Sequence, residues 1–262
     1  MLYISVKNKL GLYWKGMIIE MGTYEYKTRV QFCDIDEKNR LSPKGLIRIL
    51  GEAAGIHSET VGYGLNNVSQ THLTWMILNW KIEFFLSPSW NSELIVKTWA
   101  RAFSKISSNR DFNVYDSNNN LVARASSKWI LVDSEKHTLA RITNEISEAF
   151  GKNDVAVFDT EVNDKLQEPQ NSNFVYDYQI KNRDIDTNHH VNNLYYLDFA
   201  YDSLPKELWD KDFNNIEIIY KKQIKLDDTI KCFYAYNENT NQHIVTIKSE
   251  DLSIVHSNII FY

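Results

Sequence analysis

The sequence predicts an α+β chain in which one unit is used twice, each time as a strand, a helix and an antiparallel meander. Three observations carry that reading. The order of elements is the same in both halves, and a polar, aperiodic stretch over residues 150–172 separates them. In addition, "CDIDEKNRLS" (33–42) lies over "RDIDTNHHVN" (183–192), each at the same distance from the helix that follows.

The elements follow in order. The first 22 residues have apolar positions broken by Lys7, Asn8, Lys9 and Lys15. They lack a signal peptide's apolar region and are expected to be an appendage outside the fold. From Thr23, "YEYKTRVQF" alternates as a strand. Ser42 is then placed to cap a helix with Pro43 at its first position, and Leu46, Ile49, Leu50, Ala53 and Ala54 recur at helical spacing until Gly62 or Gly64. Strands are expected in "LTWMILNWKIEFFL", "ELIVKTWARAFSK", "SNRDFNVYDS" and "LVARASSKWILVD", with "DSNNN" (116–120) as a hairpin turn. The second half repeats the order: strand "NFVYDYQIKN", helix "NLYYLDFAYDSL" capped by Asn192, then "IEIIYKKQIKL", "DTIKCFYAYNE", "NQHIVTIKSE" and "SIVHSNIIFY". The expected domains are thus 23–149 and 173–262, joined by the 150–172 linker, with each helix covering one face of its sheet.

Composition narrows the function classes. With 262 residues, 43% hydrophobic, and 15 Tyr, 12 Phe and 7 Trp, the chain can bury sizeable cores rich in strands. A net charge of −5 does not support a nucleic-acid binder. No apolar run reaches the roughly 18 residues of a membrane span. Cys33 and Cys232 cannot make a disulfide framework, which points to a reducing cytosol.

The two matched segments share Asp-Ile-Asp and a helix start but differ between them. Asp36 matches Asp186 and Ser42 matches Asn192, while Lys38 and Arg40 stand where the second copy has Asn188 and His190. The shared part reads as structure, turn acids and caps. The unshared part suggests chemistry confined to the second copy. Asp186 is a natural base or nucleophile, Asn188 can hold a water or donate to a carbonyl, and His190 can orient the carboxylate or move a proton. The segment runs into a helix N-terminus, whose N–H groups favour an oxyanion.

In these residues the chain resembles the acyl-acyl carrier protein thioesterases, a double-hotdog family of plants and bacteria. The family's Asp-x-Asn-x-His-Val-Asn-Asn motif is matched by Asp186, Asn188, His190, Val191, Asn192 and Asn193, and the first half is similar in "TW" (98–99), "NRDF" (109–112) and "ASSKWILVD" (125–133). The resemblance runs from about Tyr24 to the C-terminus. It implies a tandem hotdog fold and hydrolysis of fatty acyl-acyl carrier protein to free fatty acid, with Asp186, Asn188 and His190 catalytic, no cofactor or metal, and acylated carrier protein as the partner. Monomer and homodimer are both compatible with it. The family also has "Tyr-x-Lys/Arg-Glu" on a strand after the second helix. Here the stretch is "YKKQI" (220–224), so Gln223, counted with the catalytic residues, stands where the acid is expected; it can hydrogen-bond a water but not take its proton, which leaves the base role to Asp186.

Other readings are open to the same residues. Acyl-CoA hydrolysis uses the same chemistry on another carrier, and Gln223 makes a non-catalytic acyl-carrier or lipid-binding module conceivable. Adjacent His189 and His190 do not have His-x-x-x-His metal spacing. Glu52 resembles the helical acid of hotdog dehydratases, but their His-Phe-Pro element is absent and a polar residue on an otherwise packed helix is favoured. Arg183, Lys221, Lys222 and Lys225 could meet an acidic carrier, although exposed lysines are commonly just solvated.

Overall fold

The computed structural model describes residues 22–162, 164–165, 169 and 171–262. The appendage expected over 1–22 therefore lies outside the described residues except for Gly22. In chain order the elements are β1 (Thr23–Arg29), α1 (Pro43–Thr60), α2 (Val68–Thr71), β2 (Leu73–Phe84), β3 (Glu93–Arg101), β4 (Ser107–Asp116), β5 (Leu121–Asp133), β6 (Thr138–Leu139) and α3 (Asn144–Phe150). The second series is β7 (Asn173–Gln179), α4 (Tyr195–Asp202), β8 (Asn215–Tyr220), β9 (Thr229–Asn237), β10 (Gln242–Ser249) and β11 (Val255–Phe261). The described residues form two compact units, 22–77 with 85–161, and 78–84 with 162–262.

In the first unit β1, β3, β4 and β5 lie side by side, all antiparallel, and β6 adds to β5. Thr23 pairs with Trp99 at one end of the β1–β3 ladder and Arg29 with Glu93 at the other. The hairpin at 116–120 forms as expected, with Asn119 in a left-handed conformation (φ 64°) that Asn tolerates. Helix α1 starts as the sequence dictates: the Ser42 hydroxyl accepts the Gly45 N–H (3.0 Å), and Pro43 occupies the first helical position. Its stripe of Leu46, Ile49, Leu50 and Ala53 is at most 1% exposed, so three large side chains alone contribute about 6 kcal/mol of burial before entropy is counted. Helix α3, capped by the Thr143 hydroxyl, was not legible in the sequence. It carries Ile146 and Phe150 into a cluster with Ala100, Leu131 and Ile142.

Val155 and Val157, in the stretch expected to be a linker, are tied to the first unit. Trp99 Nε1–H donates to the Val155 carbonyl (2.8 Å), Arg124 to the Val157 carbonyl (2.9 Å), and the Val157 N–H to the Asp111 carboxylate (2.9 Å).

The second unit runs from Leu78–Phe84 of β2 through β8, β11, β10 and β9 to β7, again antiparallel throughout. Ile216, Ile218, Ile230, Val245, Ile247 and Ile259 are fully buried. Helix α4 is held by its Phe199 carbonyl, which accepts from the Tyr176 hydroxyl (3.0 Å) and the Ser203 hydroxyl (2.7 Å).

Two expectations need correction here. Helix α4 begins at Tyr195, not near Asn193, and the Asn192 side chain instead accepts the Leu194 N–H (3.0 Å) in a preceding turn. The reason lies in the duplicate. A Cβ on Gly45 would collide with the Asp34 carbonyl, and the matching position 195 carries Tyr, so the close approach that starts α1 is not open to α4. Strand β8 ends at Tyr220, so Gln223 does not sit on a strand. The N–H groups of Lys221 and Lys222 both turn to the one His256 carbonyl (2.8 and 3.3 Å), which ends the regular ladder.

Candidate active site

The segment between β7 and α4 is a tight loop built like its counterpart between β1 and α1. Asp184 and Asp34 are its buried anchors, 2% and 0% exposed. Asp184 accepts the Lys181 N–H (2.8 Å) and the Tyr178 hydroxyl (3.0 Å), while its carbonyl accepts the Asn192 N–H (2.8 Å). Asp34 accepts the Gln31 N–H (2.9 Å) and a bidentate Arg48, and its carbonyl accepts the Ser42 N–H (2.8 Å). Each loop closes the same way: Asp186 N–H to the His190 carbonyl (2.9 Å) and Asp36 N–H to the Arg40 carbonyl (2.8 Å). His189 and Asn39 supply the left-handed residue of each turn (φ 60° and 57°).

Against this common frame the acids differ. Asp36 Oδ1 accepts the N–H groups of Lys38 and Arg40, both at 2.9 Å. Its Oδ2 is gripped by the Arg40 guanidinium, Nε at 3.1 Å and Nη2 at 3.0 Å. At Asp186 only the Asn188 N–H donates, to Oδ1 at 2.8 Å, and Oδ2 receives no hydrogen bond from a described residue. A half-buried carboxylate aimed by one backbone amide, with an oxygen left for solvent or substrate, is what a proton acceptor or nucleophile requires. The imidazole of His190 replaces Arg40; it is half-buried, with its Nδ1 sealed from solvent. The Asn188 side chain is exposed.

Gln223 reaches this region from the far side of the sequence. The residue after it, Ile224, is fully buried and its carbonyl accepts the Val191 N–H (2.9 Å), just as Pro88 accepts from Leu41 in the first copy. Gln223 itself is exposed. Sequence reasoning missed Tyr196, which is 3% exposed and whose hydroxyl meets the Ile224 backbone N–H. Burial pushes its pKa up, the Ile224 amide opposes that, and the negative charge of Asp186 raises it further, so it stays a neutral hydroxyl beside the loop. Its ring stands edge-on to Tyr220 (centroids 5.1 Å apart), and the Tyr220 hydroxyl donates to the Asn193 carbonyl (3.2 Å). The available signal was a phenol on the buried, otherwise apolar face of α4. Of the alternatives, Glu52 lies on α1 and is exposed.

Residues 22–150 match the family model of the acyl-ACP thioesterase N-terminal domain, and residues 167–261 that of the acyl-ACP thioesterase C-terminal domain. An oleoyl-acyl carrier protein thioesterase of Coriandrum sativum is 24% identical over 86% of the chain, and one of Arabidopsis thaliana is 24% identical over 82%. The chain spans 65% and 64% of those two proteins, somewhat less than two thirds. Among solved structures, an acyl-ACP thioesterase from Bacteroides thetaiotaomicron superposes with a TM-score of 0.80 at 22% identity, covering 92% of this chain and 97% of that one. The 12:0-ACP thioesterase from Umbellularia californica gives 0.79 at 18% identity, covering 94% and 98%. The fold is the double hotdog.

Proposed function

The chain belongs to the acyl-ACP thioesterase family, and on that footing we propose that it hydrolyses the thioester between a fatty acyl chain and acyl carrier protein. The observation that carries this reading is the asymmetry of two otherwise matching loops: Arg40 grips the Asp36 carboxylate, and among the described residues no side chain grips Asp186 in that way. In the proposed reaction Asp186 draws a proton from a water, the water oxygen bonds to the acyl carbon, and the C–S bond breaks. The carrier's thiol leaves with a proton, and the acyl group departs as the acid. The alternative, direct attack by the Asp186 carboxylate, passes through an anhydride that water then opens.

His190 takes the role of orienting Asp186 or passing the proton to the leaving thiolate. Asn188 donates to the carbonyl oxygen or holds the water. Gln223 can position a water through its amide but cannot accept a proton, which leaves the base work to Asp186. Exposed Arg183, Lys221, Lys222 and Lys225 supply positive charge around this loop for an acidic carrier. The two free cysteines, Cys33 and Cys232, fit a reducing cytosol.

Release of free acid from acyl carrier protein substrates of several chain lengths, beside the matching coenzyme A thioesters, tests the reading. Turnover on the carrier protein exceeding that on coenzyme A supports it. Equal or greater turnover on coenzyme A moves the substrate class, and binding without turnover on either removes the enzyme.

A further inference from the structure

The residues around Gln223 repeat, position by position, a segment of the first unit. There the N–H groups of Phe85 and Leu86 both donate to the Val122 carbonyl (2.9 and 3.1 Å), as those of Lys221 and Lys222 both donate to the His256 carbonyl. Two residues on, Pro88 accepts the Leu41 N–H (2.8 Å) as Ile224 accepts the Val191 N–H. Gln223 therefore stands where the first unit has Ser87, and His256 where it has Val122. By the spacing from Asp36 and Asp186, Tyr196 stands where it has Leu46. The backbone frame is shared, so what the second copy adds to it lies in side chains.

Those side chains close on the two peptide groups that flank Gln223. His256, on β11, is 4% exposed, and its Nδ1 lies 3.0 Å from the Lys222 carbonyl oxygen. A carbonyl only accepts, so Nδ1 carries the proton and donates. The ring thus ties the peptide group between residues 222 and 223. The buried Tyr196 hydroxyl accepts the Ile224 N–H and ties the peptide group between residues 223 and 224. With both planes held, φ and ψ of residue 223 are set, and with them the direction of its Cα–Cβ bond. Neither tie has a counterpart in the first unit: Val122 and Leu46 end in methyl groups, and Pro88 has no N–H to donate. A residue that is merely solvated needs no such hold. Gln223 is exposed, yet two buried polar side chains set its backbone, against the peptide group that follows His190.

We propose that His256, together with Tyr196, is a positioning residue for the thioester hydrolysis assigned to the second unit, acting through the backbone of Gln223. The role rests on that hydrolysis and deepens it. His256 touches no reacting atom; it keeps the Gln223 amide where that amide orders a water for Asp186.

The test is steady-state hydrolysis of one acyl-acyl carrier protein by the full chain and its variants. His256→Leu, which fills the space without the donor, lowers kcat by about tenfold, the scale of a modest misplacement, with KM within about twofold of the parent. His256→Asn, whose amide reaches for the same carbonyl, regains most of the loss. Gln223→Ala lowers kcat by a similar factor, and adding His256→Leu to it lowers kcat no further, because the residue that His256 holds is gone. Tyr196→Phe, which releases the other peptide group, carries the same double-variant comparison if His256→Leu does not fold. With the parent active, equal kcat in His256→Leu and the parent, no recovery in His256→Asn, or losses that multiply in the double variant would overturn the proposal alone. Absence of turnover by the parent removes the hydrolysis itself, and the proposal falls with it.

Discussion

Replacing His190 by Arg rebuilds in the second loop the pair seen in the first. The loop can accept it, because Arg40 lies on Asp36 from the same position of the same turn, with contacts of 3.1 and 3.0 Å. Arg40 and Asp36 are 32% and 29% exposed, so their attraction is partly screened. At about 4 Å and an effective dielectric of roughly 20–40, the gross attraction is about 2–4 kcal/mol. Ordering an arginine side chain takes back about 1.5–2 kcal/mol, which leaves about 1 kcal/mol net. That net figure has two consequences relative to His190→Ala, which also lacks the imidazole. His190→Arg is about fivefold slower, because Asp186 is covered in most molecules, and about 2–4 °C more stable. The cation also lowers the Asp186 pKa and so weakens it as a base, in the same direction. Initial rates on acyl carrier protein and thermal melts of both variants give the comparison. If His190→Arg matches or outpaces His190→Ala at equal melting temperature, occupancy of the carboxylate is not what separates the two loops.

Gln223→Glu adds a second acid next to the Ile224 tie, and because two acids resist ionising together the pH optimum of hydrolysis moves upward; superimposable pH–rate profiles would place residue 223 outside the site. Tyr196→Phe keeps the ring but removes the acceptor of the Ile224 N–H, so stability falls by about 1–2 kcal/mol in urea unfolding, with hydrolysis slowed more than binding. Asp184→Ala leaves the Lys181 amide and the Tyr178 hydroxyl without their buried acceptor, and a loss of about 2–4 kcal/mol is expected in the same measurement. His57 is held neutral by burial and by Arg110, so the unfolded chain binds the extra proton. Its contribution is complete above the unfolded pKa of about 6.5 and is lost as pH falls towards the lowered folded value, and His57→Gln should flatten that acid limb of a stability curve.

The repeat was legible because both loops must meet the same geometric demand. Asp at 34 and 184 anchors a buried turn, Asp at 36 and 186 bends it, and Ser42 or Asn192 closes it, so side-chain chemistry showed through in the letters. The Asn188 and His190 asymmetry was legible for the same reason: the sequence shows two residue types leaving a shared frame. What the letters did not show was set by backbone space. The late start of α4 follows from Tyr standing where Gly45 lets α1 approach Asp34, a clash with no periodic signature. Gln223 was placed on a strand because "IEIIYKKQIKL" alternates well enough, yet two amides competing for the His256 carbonyl end β8 at Tyr220. Tyr196 looked like any aromatic on a buried helix face. Only its link to the Ile224 amide sets it apart.

The proposed function confines the chemistry to one of two nearly identical loops. Asp36→Asn and Asp186→Asn, purified side by side and assayed on one acyl carrier protein substrate, test it most directly, since each removes a carboxylate charge from the same place in the same turn. The account predicts that Asp186→Asn loses activity by about 10³-fold or more with its fold intact, as loss of an essential base or nucleophile entails. Asp36→Asn, which forfeits only the Arg40 pair, should keep most of its rate while losing about 1 kcal/mol of stability. Equal losses of activity from the two changes, or substantial turnover by Asp186→Asn, would contradict it.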